Sequence, residues 1–296
     1  MKRESSRLLI FLFIGTAFAF AGCEEKSNTH NPQTESKDSV QVSTSGTFLM
    51  DGEIFSIPSP VQTAMLLKKE QIAFNKDILN PIENRGKYVT ESQRAVNLGV
   101  YGADLAYISC FKNPQMSRTY FDVVGKLSAE MGVLDNIDKK LVERFVNNVE
   151  NGDSLLALNA DFYRAGDRYL KNNANTKTAV LILLGGWAEA LHLSIQSLGT
   201  NAAIRQRIGE QKDASASLAK LIGSMNDSSL DAVKKSLSDL SAAFAELKST
   251  YEYKQPIVDA QEHKTYLTSR TLIAMDDSEL AEIASLVSQL RTNIIQ

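Results

Sequence analysis

Cysteine is scarce. Cys23 and Cys110 are the only two in 296 residues, too few for a disulfide framework. Six prolines and 16 glycines exclude collagen and most low-complexity classes. Positive charge is not in excess: 32 Lys and Arg face 35 Asp and Glu, for a net charge of −3. That speaks against nucleic acid as a partner, because counterion release needs a basic surface. There are three histidines, His30, His192 and His263, and they form no zinc-type cluster. P-loop, G-x-G-x-x-G and G-x-S-x-G patterns are missing, so no cofactor and no enzyme class is implied. What is present is an ordinary globular composition, 43% hydrophobic and 23% charged.

The strongest local signal is at the start. Lys2, Arg3 and Arg7 precede an apolar run from Leu8 to Phe20, interrupted by Gly15 and Thr16. The run is short for a membrane span, which needs about 20 residues, and has the anatomy of an export signal. It ends in Phe20-Ala21-Gly22-Cys23. Small residues followed by cysteine resemble the lipobox of bacterial lipoproteins, with Phe20 where that family usually places Leu. The resemblance implies acylation of Cys23, with palmitate or similar chains, and removal of residues 1–22. Loss of Lys2, Arg3, Arg7 and Glu4 would take the net charge from −3 to −5. Attachment to the membrane would come from the acyl chains, each buried CH₂ contributing about 0.8 kcal/mol. Glu24, rather than Asp, follows the cysteine, which by the same resemblance favours the outer membrane, with the periplasmic or surface face open.

Residues 23–47 read as a polar tether. After Cys23 their only large apolar side chains are Val40 and Val42, too few to offset the entropy of ordering. Asp38-Ser39-Val40 and Asp153-Ser154-Leu155 resemble the short O-glycosylation site of Bacteroidota. From 48 to 296 the chain reads as one all-α, multi-helix bundle of about nine helices. A short hairpin over 47–57 opens it, because Asp51-Gly52 between two apolar runs is a two-residue turn signal. Ser59 then caps a helix that has Pro60 at its first position.

That first helix is expected to end before Pro81, with Val61, Met65, Leu66, Ile72 and Ile78 along one side. Thr90 and Gln93 form a capping box for a second, through about Phe111. Asn113-Pro114 opens a third, to about Met131. Asp135 caps a fourth, and Asp153 or Ser154 a fifth, to about Leu170. Asn175 starts a sixth, which Gly199 stops. Asn201 opens a seventh. Ser228 and Asp231 open an eighth, striped by Leu230, Val233, Leu237, Leu240 and Phe244, to about Lys248. Asp276 and Glu279 box a ninth. Between the last two, residues 265–275 hold strand formers that could pair with 53–57.

Two helices carry polar groups in apolar surroundings. In the second, Asn97, Tyr101 and Asp104 fall at i, i+4 and i+7, one stripe, while Gly99 and Gly102 let a neighbouring backbone approach. The stripe reads either as a pocket floor or as a satisfied network setting helix register. The sixth is apolar around most of its girth, the mark of a central helix, with a seam of Leu181, Leu184, Ala188, Leu191 and Ile195. Glu189 there requires a partner such as Lys, Arg or a Tyr hydroxyl. Asn97, Tyr101, Asp104, Trp187 and Glu189 are the candidate ligand-binding residues. Glu189-x-x-His192 also has the spacing of a di-iron ligand pair, but the second such pair is lacking. A metal-assisted enzyme built on Glu189 and His192 is the alternative, as is a scaffold with no small-molecule site. Cys110, beside Ile108 and Phe111, reads as a small buried hydrophobe.

Pro58-Ser59-Pro60, Leu79-Asn80-Pro81, Asn97 through Leu105 and Gly185-Gly186-Trp187-Ala188-Glu189 resemble a family of uncharacterised helical lipoproteins from Bacteroidota. The likeness covers most of the chain after residue 53. It implies a fold and a location, and no mechanism. The partner expected for the helical domain is an envelope protein or a small ligand.

Overall fold

The structure, a computed structural model, describes residues 45–50, 53–132, 144, 161, 176–259, 261, 264–266 and 268–296. Cys23, the 23–47 tether up to residue 44, and the helices expected from Asp135 and Asp153 lie outside these residues. Within them the fold is all-α, a bundle of eight helices with short strands at two places.

Strands β1 (Ser45–Met50) and β2 (Glu53–Pro58) form the expected hairpin, with Met50 opposite Glu53 across the Asp51-Gly52 position. The strand begins ahead of residue 48. Helix α1 (Pro60–Lys69) starts where expected, Ser59 Oγ accepting the Val61 N–H. It does not continue to Pro81. Gln71 adopts φ +57°, its N–H reaches the Lys68 carbonyl, and the Ile72 N–H reaches Leu67. This is a Schellman stop with Gln in the position usually held by Gly. The buried side of α1 is accordingly Val61, Ala64 and Leu67, while Met65 is exposed. A 3₁₀ turn, Lys76–Ile78, stands in place of the rest of the expected helix, and a second, Ile82–Lys87, follows Pro81.

Helices α2 (Glu91–Cys110), α3 (Pro114–Glu130) and α4 (Thr176–Gln196) follow. The Thr90/Gln93 capping box and the Asn113 cap both form. The segment opened by Asn201 is two helices, α5 (Ala202–Gly209) and α6 (Lys212–Gly223). At the break the Gln211 side chain is taken by Trp187. Helices α7 (Asp231–Glu246) and α8 (Asp277–Ile295) complete the set, α8 opened by the Asp276/Glu279 box.

Helix α4 is long and apolar enough to cross a membrane, yet 83% of its apolar window is buried inside the fold. It is the central helix, and α2 crosses it at very close range. A Cβ on Gly99 would overlap the Ile182 carbonyl oxygen, and one on Gly185 would overlap the Val96 carbonyl oxygen. Such crossings bring Cα–H groups against carbonyls, and only glycine allows the approach.

The described residues between 248 and 274 form a strand-built arm between α7 and α8. β3 (Lys248–Glu252) pairs with β6 (Arg270–Ala274), and β4 (Ile257–Asp259) with β5 (Lys264–Tyr266), both antiparallel. The expected pairing of 265–275 with 53–57 is not made. The arm folds back on itself because β3 is a nearer partner in sequence than β2, and nearer closure loses less chain entropy.

Candidate functional site

The polar residues of α2 and α4 converge under the loop between α1 and α2. Asp104 and Glu189 are fully buried and lie side by side within hydrogen-bonding reach. Arg291, from α8, donates to Glu189 through Nε at 2.7 Å and Nη2 at 2.8 Å, a bidentate pair, and Nη2 also reaches the Ile78 carbonyl at 3.1 Å. His192 Nε2 lies 3.1 Å from the same carbonyl, so that nitrogen carries the hydrogen. The partner that Glu189 required is therefore Arg291.

Asn80 is the hub on the loop side, and all its polar groups are used. Its N–H donates to Asp104 Oδ2 at 3.1 Å and its Nδ2 to the Tyr88 hydroxyl at 3.0 Å. Its carbonyl accepts from the Tyr120 hydroxyl at 2.9 Å, and its Oδ1 from Asn84 at 2.8 Å. Tyr101 donates to the Pro81 carbonyl at 2.8 Å and packs between the rings of Tyr88 and Tyr120.

The other two candidates lie apart from this cluster. Asn97 Nδ2 donates to the carbonyls of Gln93 at 3.0 Å and Ile294 at 2.8 Å. It satisfies one of the orphan carbonyls that end α8. Trp187 Nε1 donates to Gln211 Oε1 at 3.0 Å. It borders a void of about 10 Å³ with Thr63, Leu191 and Ser194, room for about one water. The five candidates thus make one cluster of three and two separate packing contacts.

Burial, and next the Glu189 carboxylate, holds the Asp104 carboxyl well above the usual carboxylate range. Asp104 Oδ1 receives no hydrogen bond from a described donor. A proton on it satisfies both facts, since the acid then donates to Glu189, whose oxygens also take Arg291. Burial lowers His192, and Arg291 beside it works the same way against the opposing pull of Glu189, so the imidazole is neutral. Burial also raises the phenols of Tyr88, Tyr101 and Tyr120. The cluster is a net-neutral lattice that ties α2, α4, α8 and the 70–90 loop together. Its carboxylate is clamped by an arginine and its acid by a neighbour. Among the described residues no three His, Cys, Asp or Glu side chains are placed to hold a metal.

This arrangement has a pH signature. A raised Asp104 stabilises the fold fully below its unfolded value of about 3.9, and that stability is lost as pH rises towards the folded value. Asp104→Asn keeps a donor for Glu189 and an acceptor for the Asn80 N–H. It should match the wild type near pH 4 and then become progressively more stable, by up to about 1.4 kcal/mol per pH unit between the two values. Urea unfolding of both proteins from pH 4 to 8 measures this, and parallel curves would mean that Asp104 is ionised in the fold.

Arg291 and Asn80 are not singled out by sequence reasoning. Arg291 occupies an amphipathic helix between the buried Leu290 and Ile294, where a charge reads as the edge of a solvated face. Asn80 enters only within the Leu79-Asn80-Pro81 string, where it is given no role. A requirement for a countercharge at Glu189 was the only available signal, and it names no position. No family model, curated protein or solved structure matches this chain.

Proposed function

We propose that this chain is a lipid-anchored envelope protein, held to the outer membrane by acyl chains on Cys23, whose helical body works by contacting another envelope protein through its surface. The basic start, the apolar run and Ala21-Gly22-Cys23 support the anchor. One observation carries the surface reading. In the buried cluster both Glu189 oxygens are held by Arg291 and Asp104 Oδ2 by the Asn80 N–H, all groups of the protein itself, whereas Tyr251, Tyr253, Ile257, Val258 and Tyr266 of the arm are 47–70% exposed. Exposed apolar patches of this kind mark interaction sites.

The test has two parts. Mass measurement of the N-terminal peptide from the membrane fraction should show acyl chains that Cys23→Ser abolishes; an unmodified Cys23 peptide would refute the anchor. Asp104→Asn and Tyr101→Phe should leave every envelope-dependent phenotype intact. Loss of a phenotype by well-folded versions of these two variants would instead mark the cluster as a ligand site.

A further inference from the structure

Of the two outer edges of the β3–β6 ribbon, one is occupied. Gln206 on α5 donates through Nε2 to the Thr271 carbonyl at 3.0 Å and accepts the Ile273 N–H on its Oε1 at 3.3 Å. A Cβ on Gly209 of the same helix would sit 2.8 Å from Ile273 Cγ2, so β6 lies tight against α5. β3, by contrast, has β6 as its only strand partner among the described residues, and Lys248 through Tyr251 are exposed along it. A two-stranded ribbon is marginal on its own, and three or more strands are needed for independent stability.

The register shows which groups that edge presents. Thr271 and Ile273 turn their main-chain groups outward to Gln206. Their opposites, Tyr251 and Ser249, must then also point outward, because antiparallel pairs alternate between bonded and non-bonded. An incoming antiparallel strand would bond at Ser249 and Tyr251. β3 reads Lys-Ser-Thr-Tyr-Glu, and it is complementary to itself. A two-fold axis through Thr250 sets Ser249 opposite Tyr251 of a second copy, so both are bonded pairs. The same axis sets Lys248 opposite Glu252 twice, on the face where Glu252 already meets Arg270 at 2.7 Å. The two Tyr251 rings become diagonal neighbours, within aromatic reach.

We propose that β3 pairs with β3 of a second copy, giving a two-fold dimer built on the continuous sheet β6-β3-β3-β6. This names the protein partner of the surface reading above, on which it rests. It converts two marginal ribbons into one four-stranded sheet, closes the open edge, and has the isologous form usual for dimers. Charge alternates across the sheet as Arg270, Glu252 and the partner copy's lysine.

The full chain, purified from membranes in detergent, tests this. Thr250→Cys should form an intermolecular disulfide on mild oxidation, because non-bonded opposite positions bring Cβ atoms within bridging distance. Tyr253→Cys should not. Lys248→Glu and Glu252→Lys should each weaken the dimer about tenfold or more by sedimentation, and the double swap should restore it. A wild type monomeric at micromolar concentration, failure of Thr250→Cys to bridge, or a double swap no better than the singles overturns the proposal. So does a monomer that captures a different protein through this edge, or one that binds phosphatidylethanolamine/phosphatidylglycerol vesicles through Tyr251 and Tyr253. Wild type carried through the same oxidation controls for bridging at Cys23. The bridge at position 250 does not depend on acylation, so an unmodified Cys23 peptide fails the anchor and leaves the dimer standing.

Discussion

Gly185→Ala is expected to destabilise the protein by about 3 kcal/mol, the upper end for an added methyl. In an open helix the same change stabilises by about 1 kcal/mol through propensity. Here the new Cβ would overlap the Val96 carbonyl oxygen. That atom is main chain in the middle of α2, so no side-chain rotation relieves the overlap and the two helices must separate. Gly99→Ala meets the Ile182 carbonyl on the other side of the same crossing and should behave alike. The double variant should lose less than the sum, since one separation accommodates both methyls. Urea unfolding followed by circular dichroism measures all three. A gain in stability for Gly185→Ala would show that α2 and α4 do not cross this closely.

Arg291→Met is expected to cost about 3–5 kcal/mol at neutral pH, because it leaves Glu189 buried without its countercharge. The Glu189 side chain is fully buried and that of Arg291 is 14% exposed, so water cannot replace the guanidinium. Glu189→Gln combined with Arg291→Met should recover a large part of the loss, because an amide still serves Asp104 and no charge is stranded. Thermal and urea melts of the wild type, the single variant and the double variant at pH 8 give the comparison. A single variant that loses under 1 kcal/mol at pH 8 would place Glu189 in contact with solvent.

His192 adds an acid limb to the same profile. A depressed imidazole contributes stability that is present above its unfolded value of about 6.5 and is lost as pH falls through the folded value. Asp104 acts in the opposite direction, so the two slopes offset each other over the range where both groups titrate.

Most helix starts were legible, because a start is local. Thr90 with Gln93, Asn113 with Pro114, Asn201, and Asp276 with Glu279 each satisfy orphan N–H groups within one turn of themselves. The stop of α1 was not legible. Gln71 holds a left-handed conformation that sequence reasoning reserves for glycine. The stripe of α7 was readable from Leu230 to Phe244, since its periodicity is a property of that segment alone. Two helices rather than one after Asn201 were not, because the break lies beside Trp187 of α4 and Ile273 of β6, remote in sequence.

The sequence by itself determined the helical class, the Asp-Gly hairpin, the central place of the Thr176–Gln196 helix and the presence of polar groups at Asn97, Tyr101, Asp104 and Glu189 that needed partners. All of these follow from spacing within a few turns of chain. Only the tertiary structure decided what the partners are. Arg291 lies 102 residues from Glu189 and Ile294 lies 197 from Asn97. Which side chains meet across such distances depends on how helices cross, and that is set by the packing of whole faces and the glycines between them. Pairwise spacing carries no record of it.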